Sequence, residues 1–366
     1  MPQSPQISRV YWTAFRTTGN VQIQNVQEVQ IQFGRRRITD LLTAGTATVY
    51  GRRPDLLPTM LIGDSVYLRM NYPYPGQPAG PDPYNEYDFR VANLTIEYGE
   101  TSALDTWVLE LEDAIAYLGR ASLPTTTIAS GTSTATAAAT IATAAGLTQT
   151  TVPGTTTTSS AQTVTGQNAL DTYQNLVNTE AAWIDCTGTS LSWYPRNVWQ
   201  NSLVYYEFSD DNTKINYNDY RIASLADNYA DLVVVKPRGS TDVVVGTGIF
   251  SYNLDSFSFN TAEATNLGNF WNAALDIDTT TPRQISALVN ANSTLLANAI
   301  TQGNLIGAKV RFRGVTTTSV VTGVQIFGNV ESTTATLYLS SVNFLAYLVL
   351  DSTIYGYLDF NKLGWA

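Results

Sequence analysis

Carboxylates are the side chains of this sequence that could do acid–base chemistry. The 366-residue chain contains no histidine, which excludes Ser-His-Asp and Cys-His nucleophiles and histidine-bound zinc or iron. An enzyme would therefore need paired acids of the glycosidase type. The densest acidic group is Glu110, Glu112 and Asp113. A carboxylate-only glycosidase that uses Glu110 or Glu180 is accordingly one function to test.

The local pattern around these acids favours a structural role. In residues 107–112, apolar side chains at 107, 109 and 111 alternate with the others, as in a half-buried strand whose acids lie on the wetter face. Residues 210–212 resemble the opening of a calcium loop, but Lys214 stands where a third oxygen ligand is needed. A polar turn is the better interpretation. Because no phosphate-binding glycine pattern occurs either, we predict no catalytic residue, no metal and no cofactor.

The single cysteine, Cys186, excludes an intrachain disulfide and every multi-cysteine zinc pattern. Its place beside a predicted turn indicates a small buried side chain and not a reactive thiol. Residues 1–20 lack the basic and apolar regions of a signal peptide, and no run of 18 apolar residues occurs. We therefore expect neither signal-peptide secretion nor a membrane span.

The composition indicates a subunit with a largely neutral surface. Only 14% of the residues are charged, against roughly 25% in an average soluble domain, and such a surface suits a protein that is covered by neighbours. A secreted monomer with a glycan-binding face is the alternative. The net charge of −10 and pI near 4.5 argue against a nucleic-acid binder, which needs a basic surface.

A local exception to this acidity is a set of five arginines: Arg35, Arg36, Arg37, Arg52 and Arg53. They flank two predicted strands and could be solvated loop residues. Alternatively, they form an interface with carboxylates of a neighbouring subunit, because the planar guanidinium is favoured at interfaces. We take them as the candidate interface residues.

The first third of the chain is strand-rich. Apolar and polar residues alternate in segments separated by Gly, Pro and Asn, and these segments are 21–24, 26–33, 46–50, 65–69, 91–98 and 107–111. Together they predict a small antiparallel barrel or sandwich.

The middle of the chain predicts a small α+β domain. No charge occurs between Arg120 and Asp171, a composition also typical of a linker, yet residues 136–146 have the pattern of a short helix that ends at Gly146. Asn168 can cap a second helix. Residues 181–185 and 191–194 then form a hairpin through residues 187–188.

An internal repeat relates the two ends of the sequence. Residues 61–69 and 305–313 share the pattern L-I-G-x-x-V-x-x-R, and later strands at 94–96 and 107–109 match 324–326 and 337–339 at one constant offset. The first copy carries an extra loop around residues 71–84, and the second contains a capped helix that begins at Asn260 and Glu263. The chain is therefore predicted to be mainly β, with two related antiparallel β-barrel domains flanking a small α+β domain.

The predicted domains are residues 1–120, the first barrel; 121–220, the α+β domain; 221–350, the second barrel with its inserted helix; and 351–366, a C-terminal tail. Three copies of such a chain would present six similar barrels, which is a way to join threefold to sixfold symmetry.

The order of many weak motifs resembles the tail-tip hub, or minor tail, proteins of long-tailed bacteriophages. The motifs are residues 26–35, 44–49, 62–66, 169–188, 348–351, 356–359 and 363–364, so the resemblance spans nearly the whole chain. It implies a non-enzymatic homotrimer in the virion, made in the host cytoplasm, that closes the tail tube. It also implies contact with the hexameric distal tail protein, the tape-measure protein and fibre or receptor-binding proteins. Some relatives carry a lysin or fibre extension, which this chain would lack because it stops soon after the final motif.

The first rival function is a glycan-binding or receptor-binding β-protein. The 21 tyrosines and 7 tryptophans support it, because aromatic rings stack on sugars as readily as they fill protein cores.

Overall fold

A computed structural model describes residues 7–340, except residues 8, 78, 155–156, 189, 212, 224–229, 259, 276–280, 293 and 304. The predicted C-terminal tail and the motifs at 348–351, 356–359 and 363–364 lie outside the described residues.

The first part of the chain forms seven strands, which we call the first module. They are β1 (Tyr11–Arg16), β2 (Val21–Ile23), β3 (Val26–Gly34), β4 (Thr46–Arg52), β5 (Ser65–Asn71), β6 (Tyr84–Glu97) and β7 (Thr106–Glu112). All six predicted strand segments lie in these elements. Alternation buries one face, as in β4, where Ala47 and Val49 are buried and their neighbours are not.

The central domain follows and mixes helices with short strands. Its elements are α1 (Ala114–Arg120), β8 (Thr126–Ile128), α2 (Thr134–Ala144), β9 (Thr148–Thr151), β10 (Gln162–Val164), α3 (Ala169–Glu180), β11 (Trp183–Thr187), β12 (Ser190–Tyr194) and α4 (Arg196–Asn201). The uncharged segment is thus folded, and α2 is followed by Gly146 at φ 78°. Asn168 caps α3 through its side-chain oxygen, as expected.

The remaining elements form a second sheet module and a unit inserted in it. They are β13 (Val204–Ser209), β14 (Ile215–Asn216), β15 (Asp219–Ala223), β16 (Leu232–Pro237), β17 (Val243–Gly246), β18 (Ser251–Ser256), α5 (Thr261–Leu275), β19 (Thr281–Leu288), α6 (Thr294–Ala299), β20 (Ile306–Phe312), β21 (Val315–Asn329) and β22 (Thr333–Ser340). The second module is β13–β15 with β19–β22. The inserted unit is β16–β18 with α5, and the Asn260 side chain accepts a hydrogen bond from the Glu263 N–H at the start of α5.

Both modules have the same strand order. The order β3–β4–β7–β6–β5–β1 in the first corresponds to β15–β19–β22–β21–β20–β13 in the second. In each module one long strand, β6 or β21, changes partner midway and carries a β-bulge there. The bulges lie between Val91 and Asn93 and between Val321 and Gly323, 230 positions apart (91 to 321), which is the offset of the repeat. The internal repeat is therefore confirmed as a repeated topology.

The modules differ at their last pair of strands. β1 runs antiparallel to β5, whereas β13 runs parallel to β20. Since β13 pairs with β20, the sheet of the second module begins before the predicted boundary at residue 221. No strand pairing among the described residues joins β1 to β3, so closure of the sheet into a barrel stays a prediction. The mainly β class is confirmed.

Among the described residues, the buried apolar side chains form three hydrophobic cores. The largest runs through both modules and includes Trp107, Tyr87 and Phe89; the second fills the central domain around Trp193; the third lies between α5 and β16–β18. Because one core serves both modules, their relative position is fixed by packing as well as by strand pairing.

Candidate functional site

The acids that were considered for glycosidase chemistry have separate structural roles. Glu110 is exposed on β7, where it accepts a hydrogen bond from Asn93 Nδ2 at 3.3 Å. Glu112 forms an ion pair with Arg120. Asp113 caps α1 by accepting hydrogen bonds from the backbone N–H groups of Ile115 and Ala116. Although adjacent in sequence, these acids do not face one another across a cleft.

Glu180 at the end of α3 is a buried acceptor whose Oε2 takes three hydrogen bonds. It accepts hydrogen bonds from Thr134 Oγ1 at 2.9 Å, from the Thr157 N–H at 2.6 Å and from Thr157 Oγ1 at 2.8 Å. Only 2% of the residue is exposed. These bonds tie α2 and the following loop to α3, so the carboxylate stabilises the central domain.

The turn after β13 carries no calcium-type arrangement. Asp211 accepts hydrogen bonds from Thr213 and forms an ion pair with Arg311 at 3.1 Å, while Asp210 accepts a bond from the Arg313 N–H at 2.9 Å. The hydrogen bonds from Thr213 lower the pKa of Asp211 to about 2. Among the described residues no group of three or more acids or cysteines could hold a metal ion. The predicted turn residue Asn212 lies outside those residues.

A buried acid cluster that sequence reasoning did not single out lies where the central domain meets the modules. We use this name for Asp113, Asp185 and Cys186, which line a cavity of about 50 Å³. Burial raises the pKa of Asp113 and of Asp185 to about 6 each, and burial together with the two carboxyls raises the pKa of the Cys186 thiol. The prediction that Cys186 is a buried filler is confirmed. Residues 113 and 185 are far apart in the sequence and belong to no common motif, so only the fold shows that they lie close together.

The five candidate arginines separate into two groups at opposite ends of the β3–β4 hairpin. Arg35, Arg36 and Arg37 follow β3, whereas Arg52 and Arg53 end β4. Because a strand rises about 3.3 Å per residue, the nine residues of β3 put roughly 25 Å between the groups. The five residues therefore do not form one patch.

Individually, these arginines have different surroundings. Arg35 is half-buried, and its Nη1 donates to the Asp40 carbonyl at 3.1 Å; burial lowers the pKa of its guanidinium. Arg36 is exposed, with its guanidinium 5.8 Å from the centre of the Tyr338 ring. Arg53 pairs with Asp55 at 3.0 Å.

Beside Arg35 lies a cavity of about 420 Å³ that is also lined by Trp199, Tyr252 and Trp271. Arg36, Arg52 and Arg53 are the exposed members of the set, and Arg52 and Arg36 lie at opposite ends of the hairpin, while Arg35 is half-buried. An interfacial role for the set stays a prediction.

The two modules join through an antiparallel pairing of β3 with the second half of β21, which we call the module junction. Residues 28–34 pair with residues 329–323 in reverse order. Backbones approach closely here: a Cβ on Gly323 would lie 2.5 Å from the Arg35 carbonyl oxygen. Trp12 reinforces the junction by donating to Thr333 Oγ1 at 3.1 Å and by packing on Gly328.

The module junction pairs β3 of the first module with β21 of the second. It joins two unlike edges of two like modules, which is the geometry of a head-to-tail contact.

Among the described residues no helix is long and apolar enough to cross a membrane.

Comparison with solved structures finds phage tail proteins over nearly the whole chain. A tail protein from Neisseria meningitidis matches with a TM-score of 0.64 at 12% identity, covering 91% of this chain and 96% of that one. The 43 kDa tail protein of prophage MuSo2 from Shewanella oneidensis matches with a TM-score of 0.57 at 10% identity, covering 90% and 97%. An E. coli component of the type VI secretion system, itself described as similar to T4 bacteriophage tail proteins, gives 0.52 at 9% identity, covering 95% and 78%.

No protein-family model matches the chain, and no curated protein matches it in sequence. The likeness is therefore one of fold, and it confirms the resemblance to phage tail proteins that the order of the sequence motifs indicated.

Proposed function

We propose that this chain, which has the fold of phage tail proteins, is a structural hub that closes the distal end of a tail tube. In this role the chain acts through its interfaces and a central channel and catalyses no reaction. The observation that supports it most directly is the module junction, because two modules of equal topology joined head to tail supply two similar building blocks per chain. The matched proteins, all described as tail or secretion components, support the same role.

The proposed assembly is a homotrimer in the virion. Three chains would present six modules, and a ring of six could meet a hexameric distal tail protein while retaining threefold symmetry on its other face. The tape-measure protein and the fibre or receptor-binding proteins are the further proposed partners. A low charge content suits surfaces that such partners cover.

Mass measurement in solution, together with electron-microscopy class averages of the purified chain, tests the proposal. We expect a particle of three chains with a ring-shaped projection. A monomer that retains oligosaccharides would instead support the glycan-binding rival, and turnover of a polysaccharide would support the glycosidase.

A further inference from the structure

The cavity of about 420 Å³ beside Arg35, which we call the aromatic cavity, lies where the central domain meets the inserted unit. The loop after β3, helix α3 and strand β18 contribute to its lining. Its volume is within the range of about 300–1,000 Å³ that is usual for small-molecule sites. Leu41, Asp171 and Asp255 are lining residues that are exposed, so the cavity is open to solvent. The hub proposal gives it no role.

The apolar wall of the aromatic cavity consists of two ring pairs, each of which joins a half-buried ring to a buried one. The ring centres of the half-buried Trp183 and the buried Trp199 are 5.8 Å apart. Those of the half-buried Tyr252 and the buried Trp271 are 5.4 Å apart. Trp199 is held in place because its Nε1 donates to the Ala181 carbonyl at 2.9 Å. Since these rings are fixed before a ligand arrives, stacking on them costs little side-chain entropy.

The polar side of the aromatic cavity contains groups with unused hydrogen-bonding capacity. The Asp171 carboxylate and the Asn175 amide lie one turn apart on α3, and neither side chain bonds to another described residue. The Asp255 carboxylate on β18 likewise has no hydrogen bond to a described residue. A ligand would therefore meet carboxylate acceptors together with an amide that both donates and accepts.

Arg35 contributes donors to the same cavity. Its Nη1 donates to the Asp40 carbonyl at 3.1 Å and to the Ile38 carbonyl at 3.5 Å. Its Nε and Nη2 hold no hydrogen bond, and its guanidinium forms no ion pair, with a described residue. Because a guanidinium has five N–H donors, most of them remain for a ligand.

The charges around the aromatic cavity select the kind of ligand. Three carboxylates line it, those of Asp40, Asp171 and Asp255, so an anion would meet an excess of negative charge. The cationic side chain among the described lining residues is Arg35, which would repel a cation stacked on the neighbouring rings. A neutral sugar suits both conditions, because its hydroxyl groups donate and accept and its C–H faces stack on aromatic rings.

We propose that the aromatic cavity binds a neutral mono- or disaccharide. The C–H face of the sugar stacks against the half-buried rings of Trp183 and Tyr252, and its hydroxyl groups bond to Arg35, Asp171 and Asn175. All the lining residues belong to one chain, so the site does not depend on a trimer. This inference goes beyond the proposed function, because a hub with such a site holds a polysaccharide as well as its protein partners.

Binding of defined sugars to the purified full-length chain tests the proposal. The neutral probes are glucose, maltose, cellobiose, lactose and N,N′-diacetylchitobiose, and glucuronic acid and glucosamine are the anionic and cationic counterparts of glucose. We expect at least one neutral probe to bind with a Kd in the millimolar range or tighter in isothermal titration calorimetry, and more tightly than either charged sugar. Failure of every neutral probe, or tighter binding of a charged sugar, overturns the proposal.

A pair of double variants locates the bound sugar. Asp171→Ala with Asn175→Ala removes side chains that bond to no other described residue, so the variant should fold as the wild type and weaken sugar binding at least about tenfold. Asp242→Ala with Asn266→Ala is the matched control, an exposed acid and an exposed amide outside the cavity, and should bind as the wild type does. Circular dichroism checks folding. Equal affinities of the two double variants would place the sugar elsewhere and contradict the site.

Tryptophan fluorescence provides an independent measurement. Trp183 is half-buried, whereas Trp199 and Trp271 are buried, so a stacked sugar should change mainly the emission of Trp183. Trp183→Phe keeps an aromatic ring and should lose most of the sugar-induced emission change, with binding weakened severalfold. An emission response as large as that of the wild type would exclude stacking on Trp183.

The possible outcomes separate the sugar site from the hub. A trimer that binds a neutral sugar through Asp171 and Asn175 supports both. A trimer that binds no neutral sugar contradicts the site and leaves the hub in place. A monomer that binds a neutral sugar through these residues supports the site and contradicts the trimeric hub.

Discussion

Asp185 is a carboxyl whose burial should make stability depend on pH. Its pKa is raised to about 6, so the folded state favours the protonated form. The stabilisation is complete below the unfolded pKa and is lost as pH rises through about 6. Asp185→Asn cannot ionise, so between pH 4 and pH 7 it should become more stable relative to the wild type by roughly 1–3 kcal/mol. Urea unfolding at a series of pH values measures this.

Asp211→Asn is the control of opposite sign. Hydrogen bonds from Thr213 lower the pKa of Asp211 to about 2, so its contribution is present above the unfolded pKa and is lost as pH falls. At neutral pH, Asp211→Asn should therefore be less stable than the wild type, and the difference in the free energy of unfolding should shrink as the pH falls. If Asp185→Asn follows the wild type in parallel while Asp211→Asn shows its expected trend, the buried acid cluster has no part in the pH dependence.

Gly328 is a position where the module junction tolerates no side chain. A Cβ there would lie 2.0 Å from Trp12 Nε1. Gly328→Val should therefore lower the free energy of unfolding by roughly 1–3 kcal/mol, the usual cost of overpacking, as measured by thermal and urea unfolding. Gly80→Val is the control, because nothing lies within 4 Å of a Cβ at that open loop position; an equal loss in both variants would exclude the clash as the cause.

At the scale of single elements, capping of α3 can be tested directly. The Asn168 side-chain oxygen accepts from the Leu170 N–H at 2.8 Å. Asn168→Ala should cost about 1 kcal/mol of stability, and Asn168→Ser, which keeps a capping oxygen, should cost less. Chemical unfolding followed by circular dichroism measures both. Equal losses would mean that the bond from Asn168 Nδ2 to the Gly119 carbonyl, which serine also lacks, carries the effect.

The sequence predicted most strands of the first module and the helices α2, α3 and α5, because alternation and capping are local properties. It did not predict all partners. The pattern shared by residues 61–69 and 305–313 aligns Ser65 with Lys309. In the sheets, however, Ser65 pairs with Arg90 and Gly307 pairs with Val320, and residues 90 and 320 are equivalent at the repeat offset of 230. Gly307 is therefore the structural counterpart of Ser65. A shift of two residues between the sequence alignment and the strand register leaves the same face of the strand buried. The alternation of apolar and polar residues therefore cannot detect it.

The inserted unit shows the same limit. The helix beginning near Asn260 was predicted from its cap and its apolar face, but the three-stranded sheet of β16–β18 that packs on it was not. Within it, β16 pairs antiparallel with β17 and parallel with β18. The direction of a strand pair is set by the connections and by the third core, neither of which leaves a periodic trace in the residues.

For the whole molecule, the acid cluster and the two arginine groups were beyond sequence reasoning for a common reason. Asp113 and Asp185 meet only because α1 and β11 pack together in the core of the central domain, and the arginines separate only because β3 and β4 form a hairpin. Proximity of residues that are far apart in the sequence depends on packing, whereas the sequence shows proximity along the chain.

The arginine set can still be tested as an assembly surface, with exposed members in place of Arg35. Since Arg35 is half-buried beside the large cavity and bonded to the Asp40 carbonyl, reversing its charge would disturb folding as well as association. Arg36 and Arg52 are exposed, and they lie at the two ends of the hairpin that forms the module junction. If the set faces carboxylates of other subunits, Arg36→Glu with Arg52→Glu should weaken trimer association severalfold and leave the circular dichroism spectrum unchanged. Lys236→Glu on β16 is the control, an exposed charge reversal outside the hairpin. Analytical ultracentrifugation at low and moderate salt separates the outcomes, because an electrostatic contact weakens as salt rises; association equal to that of the Lys236→Glu control at both salt concentrations would remove these arginines from the interface.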